Sequence, residues 1–390
     1  MSDHSIPTEK DIVEYVKSIP DLFPVEDELT CREISDGNMN LVFRIQEQNA
    51  EGKSVIVKQA IPYMRAIGDS WPLTTDRIRI EYETLKKQYA LCADLVPEVY
   101  HYNGERKLMV MEDLLDFHVL REGLIAQRQY PRFPEQIGRF LARTLLSTSI
   151  FTMKTEEKKQ AEARFSNPEM CKLTEDFFFT FPYFDHEMNN VNPHLERLVR
   201  KFREDQALKI EAARMKEKFM TNKQGLLHGD LHTGSIMVTE SETKVIDPEF
   251  AFYGPMGFDI GSLLANFLLN FVAQPPDNKD HRVYLLRGIQ DIWINFGKEW
   301  RKLFAGKVHD SLFANGDYMN AFLTATLQDS AGFAGCEMIR RTIGTSHVED
   351  FEFIKNPELR AQAEIKALEI GKKLILNPIH TIAQFLSLIQ

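Results

Sequence analysis

The sequence predicts an α+β protein in which an antiparallel-sheet lobe, residues 1–113, is followed by a mainly helical lobe, residues 114–390. Three observations carry this. Strand-like runs dominate up to about residue 115, helical spacing dominates after it, and no Pro/Gly/Ser-rich linker separates the two. Two lobes joined by a short continuous segment leave a cleft, where a ligand usually sits.

In the first lobe, Cys31 to Ile34 and Leu41 to Gln46 flank the turn-forming Ser35-Asp36-Gly37-Asn38. Ser54 to Gln59 contains the strand-like Val-Ile-Val-Lys, and Lys107 to Met111 is another apolar strand. Between them Thr75-Asp76 offers N-cap chemistry for a helix from about Arg77 to Tyr89. In the second lobe, helices are expected over Gln136 to Ser147, Pro193 to Phe202, Leu208 to Phe219, Gly257 to Val272, Ser330 to Ile343 and Leu359 to Leu376. The charged stretch Lys154 to Arg164 reads as a solvated face.

Composition narrows the function classes. A chain of 390 residues with 43% hydrophobic content can bury a sizeable core. Its 47 basic residues against 57 acidic ones, net −10, argue against nucleic acid or an anionic membrane as principal partner. Cys31, Cys92, Cys171 and Cys336 show no pair spacing, so neither a disulfide framework nor a zinc knuckle is expected. With a polar Met1 to Lys10 and no apolar run long enough to span a bilayer, the chain reads as soluble, unprocessed and cytoplasmic.

The chemistry concentrates in His228-Gly229-Asp230-Leu231-His232-Thr233-Gly234-Ser235, followed by Ile246-Asp247-Pro248-Glu249. Ile236 to Val238 and Thr243 to Ile246 read as strands either side of the polar turn Thr239 to Glu242, so Asp230 and Asp247 emerge at one end of a hairpin. Phosphoryl transfer needs that arrangement: one carboxylate orients the attacking hydroxyl and accepts its proton, while another holds magnesium on the phosphates. Glu249, two residues on, offers a second hard oxygen. An isolated aspartate pair more often caps turns, but the order, the hairpin and the neighbouring histidines favour the catalytic reading.

Those segments resemble the protein-kinase-like small-molecule kinases, the group of the aminoglycoside and choline kinases, and in particular its methylthioribose kinase family. The resemblance runs through residues 36–44, 70–77, 111–114, 228–261 and 332–344, in the family's order. It implies a two-lobed protein-kinase-like fold, ATP and Mg2+, a small sugar substrate phosphorylated at its 1-hydroxyl in methionine salvage, and a homodimer. Asp230 is then the catalytic base and contacts the substrate, and the segment Asp247, Pro248, Glu249 belongs to the nucleotide site, with the metal on Asp247 and Glu249. Asn40 faces phosphate. Lys58 takes the role of the kinase lysine on the α- and β-phosphates.

The partner of Lys58 is a glutamate on the next helix. Ile78, Glu81, Tyr82 and Leu85 share a face, and a carboxylate on that apolar face is costly unless paired, so Glu81 is preferred to Glu83. By resemblance, Glu112, Asp113 and Leu114 form the hinge whose backbone meets adenine. Trp71, in a loop from Gly68 to Thr75, either covers the active site or plugs the lobe. Arg340 and Arg341 match a twin-arginine element for sugar and phosphoryl group, with Arg340 first; both also sit where cations favour a helix C-terminus. Asp259 ties down the catalytic loop. Serine at 235 and Pro248-Glu249 depart from the protein-kinase pattern, and metal ligation at Ser235 is not expected.

Three other functions remain open on the residues alone. One is a kinase for another small alcohol, such as an amino sugar or choline. A second is a metallophosphoesterase, because His228, Asp230, His232, Asp116 and His118 resemble metal-ligand clusters. The third is a nucleotide sensor without turnover.

Overall fold

The computed structural model describes residues 8–24, 26–34, 39–48, 52–65, 68–308 and 310–389, the side chains of residues 69 and 70 excepted. The turn expected at Ser35 to Asn38 lies outside the described residues. The chain divides into two compact units, Met1–Asp116 and Phe117–Gln390.

In the first unit, helix α1 (Glu9–Lys17) starts at Thr8, whose hydroxyl accepts the Asp11 N–H at 3.2 Å. Strands β1 (Leu29–Glu33), β2 (Asn40–Glu47) and β3 (Ser54–Ala60) follow, then a short pair, β4 (Tyr63–Met64) and β5 (Gly68–Pro72). Helix α2 (Arg77–Cys92) precedes β6 (Val99–Asn103) and β7 (Leu108–Glu112). The main sheet is antiparallel in the order β1-β2-β3-β7-β6. Leu41, Phe43 and Ile45 of β2 and Val55 and Val57 of β3 bury one face against Ile12 and Val16 of α1. Lys58, out of phase with those valines, points to the other face, where α2 packs.

Two local expectations are corrected. Asp76 does precede α2, but its own backbone is helical and its side chain makes no cap; the carboxylate grips Arg79 instead, with Nη2 at 2.6 Å and Nε at 2.9 Å. Trp71 lies on β5, paired with β4, rather than in a loop. Helix α1, strand β6 and the last turn of α2 lie outside the elements expected from the sequence.

The second unit opens with β8 (His118–Val119), α3 (Leu120–Ile125), α4 (Phe133–Ser147), α5 (Thr155–Arg164) and α6 (Pro168–Phe177). Next come α7 (Glu196–Glu204), α8 (Gln206–Thr221), and the short strands β9 (Gly225–Leu226), β10 (Ile236–Val238), β11 (Thr243–Val245) and β12 (Tyr253–Gly254). The chain ends in α9 (Gly257–Ala273), α10 (Lys279–Lys307), α11 (Gly316–Ile343), α12 (Glu349–Glu352), α13 (Pro357–Leu376) and α14 (Ile382–Ser387). Residues Gly257 through Val272 of α9 are all buried, the polar Asp259, Ser262, Asn266 and Asn270 among them, as befits a helix at the centre of its unit. A Cβ on Gly261 would come within 2.4 Å of the Ser330 carbonyl oxygen, so glycine lets α9 and α11 cross closely.

Helix α11 begins at Gly316, not Ser330, and the long α10 is absent from the sequence reading. Pro193–Leu195 is a 3-10 turn ahead of α7 rather than part of one helix. Among the described residues no helix is long and apolar enough to cross a membrane.

Candidate active site

Lys58 Nζ meets Glu81 Oε1 at 2.8 Å, with the two side chains only 6% and 0% exposed. Glu83 instead faces Arg79 at 3.3 Å. Asn40 is buried, and its Oδ1 accepts from Arg77 Nε at 3.1 Å. Arg77 further donates to the carbonyls of Thr74, Met39 and Ile61, tying the start of β2 to the approach to α2. Asp113 is gripped by Arg44 through Nε at 2.6 Å and Nη2 at 3.1 Å, so its carboxylate serves the fold. Glu112 ends β7 and accepts the Glu98 N–H at 3.1 Å, while Leu114 and Trp71 are half-buried.

In the second unit the segment from His228 to Ser235 is built by its own backbone. Asp259, near the start of α9, accepts the His228 N–H at 2.7 Å and the Gly229 N–H at 3.0 Å. Burial pushes the Asp259 carboxyl up, against the pull of His228 and those two donors. Gly229 has φ of 87°, and a Cβ there would lie 2.2 Å from the Phe250 carbonyl oxygen, so glycine is required for this segment to press against residues 247–250. His228 Nε2 donates to the Ile246 carbonyl at 2.8 Å, and its Nδ1 accepts the Asp230 N–H at 3.3 Å.

The hairpin joins the two aspartates. Ile236 of β10 pairs with Val245 of β11, and the Ile246 N–H donates to the Ser235 carbonyl at 3.0 Å. Asp230 and Asp247 therefore flank one end of the hairpin. Asp247 sits in the left-handed region, φ 62°, which aspartate tolerates better than most residues, and its carbonyl accepts the Glu249 N–H at 2.9 Å. Pro248 and Glu249 are buried, and Asn167 Nδ2 holds the Glu249 carbonyl at 2.9 Å. Ser235 Oγ accepts the His232 N–H at 3.0 Å and lies 3.0 Å from the Asp230 and His232 carbonyls, engaged by the loop's own backbone.

His232 and Arg340 close around Asp230. His232 Nε2 lies 3.4 Å from Asp230 Oδ2, and Arg340 Nη2 lies 3.5 Å from Oδ1. Burial disfavours charge on Asp230, yet His232, Arg340 and Arg341 more than offset it and hold the carboxyl well below the usual carboxylate range. Glu337, fully buried, accepts from Arg340 and from Arg341 Nε at 2.9 Å; those arginines likewise outweigh its burial and lower its pKa. Burial lowers the Arg121 pKa; its side chain reaches His232, Thr233 and Asn266.

The sequence reading gives Glu337 and Arg121 no role. Glu337 has a signal, since it lies three and four residues before the twin arginines on one helix. Arg121 has none: 111 residues separate it from His232. Two of the three histidines of the phosphoesterase reading are engaged elsewhere, His228 on the Ile246 carbonyl and His118 on the Tyr130 hydroxyl. Among the described residues no group of three or more His, Cys, Asp and Glu is placed to hold a metal.

The family model for the phosphotransferase enzyme family matches residues 30–283. A methylthioribose kinase of Yersinia pseudotuberculosis is 43% identical over 385 residues, 97% of this chain and 94% of that one. Another, of a Geobacillus species, is 45% identical over 356 residues, 91% of this chain and 88% of that one. Among solved structures, a choline kinase from Cryptosporidium parvum Iowa II matches 97% of this chain and 99% of its own with a TM-score of 0.51 at 12% identity, a likeness of fold.

Proposed function

The chain belongs to the phosphotransferase enzyme family and, within it, to the methylthioribose kinases, and on that premise we propose that it transfers the γ-phosphoryl group of ATP to the 1-hydroxyl of 5-methylthioribose, a step of methionine salvage. The observation that carries the chemistry is Asp230, held ionised at the mouth of the β10–β11 hairpin with Arg340 3.5 Å away. The identity of the sugar rests on the relatives.

Asp230 accepts a hydrogen bond from the acceptor hydroxyl and aims its oxygen along the line of transfer. Asp230 takes the proton as the oxygen–phosphorus bond forms and the bond from the γ-phosphorus to the bridging oxygen breaks, a role that suits the loose transition state of phosphoryl transfer. Arg340 and Arg341 carry charge that complements the sugar and the transferring phosphoryl oxygens, with Glu337 fixing their direction. Lys58, oriented by Glu81, meets the α- and β-phosphates, Asn40 adds a polar contact, and the backbone from Glu112 to Leu114 meets adenine. Trp71 covers the sugar.

Asp247 and Glu249 suit Mg2+: two hard carboxylates, two residues apart, match a cation that takes few protein ligands and completes its shell with phosphate and water. Bound there, magnesium would neutralise charge on the phosphates. A homodimer and a cytoplasmic location enter this reading from the family alone.

The test is a substrate panel with purified protein, ATP and magnesium, the product identified by mass. Methylthioribose should be converted to its 1-phosphate, with choline and amino sugars inert; preferential turnover of one of those would replace the substrate named here. Asp230→Asn should lower kcat by about 1,000-fold while ATP still binds. Near-native turnover by that variant would remove Asp230 from the chemistry.

A further inference from the structure

Three hydrogen-bond donors converge on one nitrogen of His232. The Gly234 N–H reaches Nδ1 at 2.9 Å and the Ser235 N–H at 3.1 Å, and Arg121 Nη2 lies 3.3 Å from it. Two are amides and one is a guanidinium, so none can accept a proton in return. Nδ1 must therefore present a lone pair. An imidazolium, or the neutral tautomer protonated at Nδ1, would set a fourth N–H against these three. Neutral His232 then carries its proton on Nε2, the atom that faces Asp230 Oδ2 at 3.4 Å.

We infer that His232 is a positioning residue locked as the neutral Nε2–H tautomer, whose ring donates to Asp230 and fixes which carboxylate oxygen faces the acceptor hydroxyl. The inference rests on the reading of Asp230 as the group that receives that hydroxyl. It adds a statement about the proton: Nε2 is already protonated and Nδ1 is closed by donors, so His232 cannot relay the proton that Asp230 takes. The proton stays on the Asp230 carboxyl until it leaves to solvent. Arg121 thereby gains a role at one remove. It guards the bare nitrogen, held by Asn266 Oδ1 at 3.3 Å and Thr233 Oγ1 at 3.4 Å. Burial acts in the same direction, lowering the His232 pKa against the pull of Asp230.

The decisive measurement is the ring nitrogen spectrum of the whole protein carrying 15N-histidine, which does not depend on turnover. His232 should show the Nε2–H pattern unchanged from about pH 6 to 9. An Nδ1–H pattern, or conversion to imidazolium in that range, overturns the inference. Two variants separate the two edges of the ring. His232→Asn keeps a side-chain oxygen where Nδ1 stood, so the Gly234 and Ser235 amides remain capped, but loses the donor to Asp230. It should lower kcat by about 100-fold with KM for both substrates unchanged. His232→Gln reaches far enough to restore a donor and should recover part of the loss. Native kcat in His232→Asn refutes the positioning role. If Asp230→Asn is itself fully active, the reading of Asp230 has failed whatever the tautomer; if Asp230→Asn is inactive and the spectrum shows the wrong tautomer, this inference alone has failed.

Discussion

The two units handle buried charge in different ways. In the first, Lys58 and Glu81 face each other at 2.8 Å with almost no exposure. In the second, Glu337 lies under two arginines, Arg340 extends on to Asp230, and Arg121 stands behind His232. A lysine left without its carboxylate can shed its proton, because burial readily lowers an ammonium pKa. Arginine has no such escape, since the guanidinium stays charged at any accessible pH. The lysine site can thus relax when perturbed, and the arginine cluster cannot, which suits a site whose task is to hold fixed positive charge where negative charge develops.

The largest effect should therefore come from Glu337→Gln. It leaves both guanidinium groups beside a neutral amide inside the unit and should cost about 3–5 kcal/mol of unfolding free energy at neutral pH. The pH dependence follows from the depressed Glu337 pKa. A carboxyl whose folded pKa lies below its unfolded value stabilises the fold above the unfolded pKa and loses that contribution as pH falls through the folded one. The gap between native and variant should hence be full at neutral pH and shrink in acid below the ordinary glutamate range. Denaturant unfolding at several pH values measures it; a gap that stays constant into strong acid would mean that the glutamate charge is not what holds the arginines.

Glu81→Gln should cost less, about 3 kcal/mol at neutral pH, because the stranded lysine has a route to neutrality that arginine lacks. The variant leaves the Lys58 ammonium buried beside an amide. As for any paired carboxylate, the gap from native closes in acid, where the native glutamate is itself neutral; it also narrows in alkali as the buried lysine of the variant sheds its proton, an exit that Glu337→Gln does not have. Equal losses in the two variants, with no relief of Glu81→Gln in alkali, would erase the contrast between the units.

The two sites also differ in how far the sequence reveals them. Glu81 is legible because it interrupts an apolar face at helical spacing, a local pattern that points to a buried partner. The β10–β11 hairpin is legible within one residue, since two short apolar runs bracket a polar turn. Helix α10, not among the expected elements, nonetheless carries a signal in Leu285, Ile289, Ile292, Phe296, Trp300 and Phe304, all buried and spaced by three or four. The early start of α11 is marked by Asn315, whose side chain caps the Asp317 and Tyr318 amides. The surroundings of Asp230 are another matter. Arg121 reaches His232 through the packing of α3 against the catalytic segment, and no one-dimensional pattern records a contact made by that packing.

The smallest effect belongs to Asp76, where sequence chemistry and structure part. As a helix cap its loss would cost about 0.5–2 kcal/mol, with little sensitivity to salt. The structure gives it a different task, a half-exposed ion pair with Arg79, and such pairs contribute about 0.2–1 kcal/mol and fade as salt screens them. Asp76→Ala should accordingly lower stability at the bottom of that range, and the loss should vanish in molar salt. The Arg79 hydrogen bond lowers the Asp76 pKa by more than partial burial raises it. The pair's contribution is therefore present above the ordinary aspartate range and lost as pH falls through the lowered value. A loss that persists unchanged at high salt would restore the capping role.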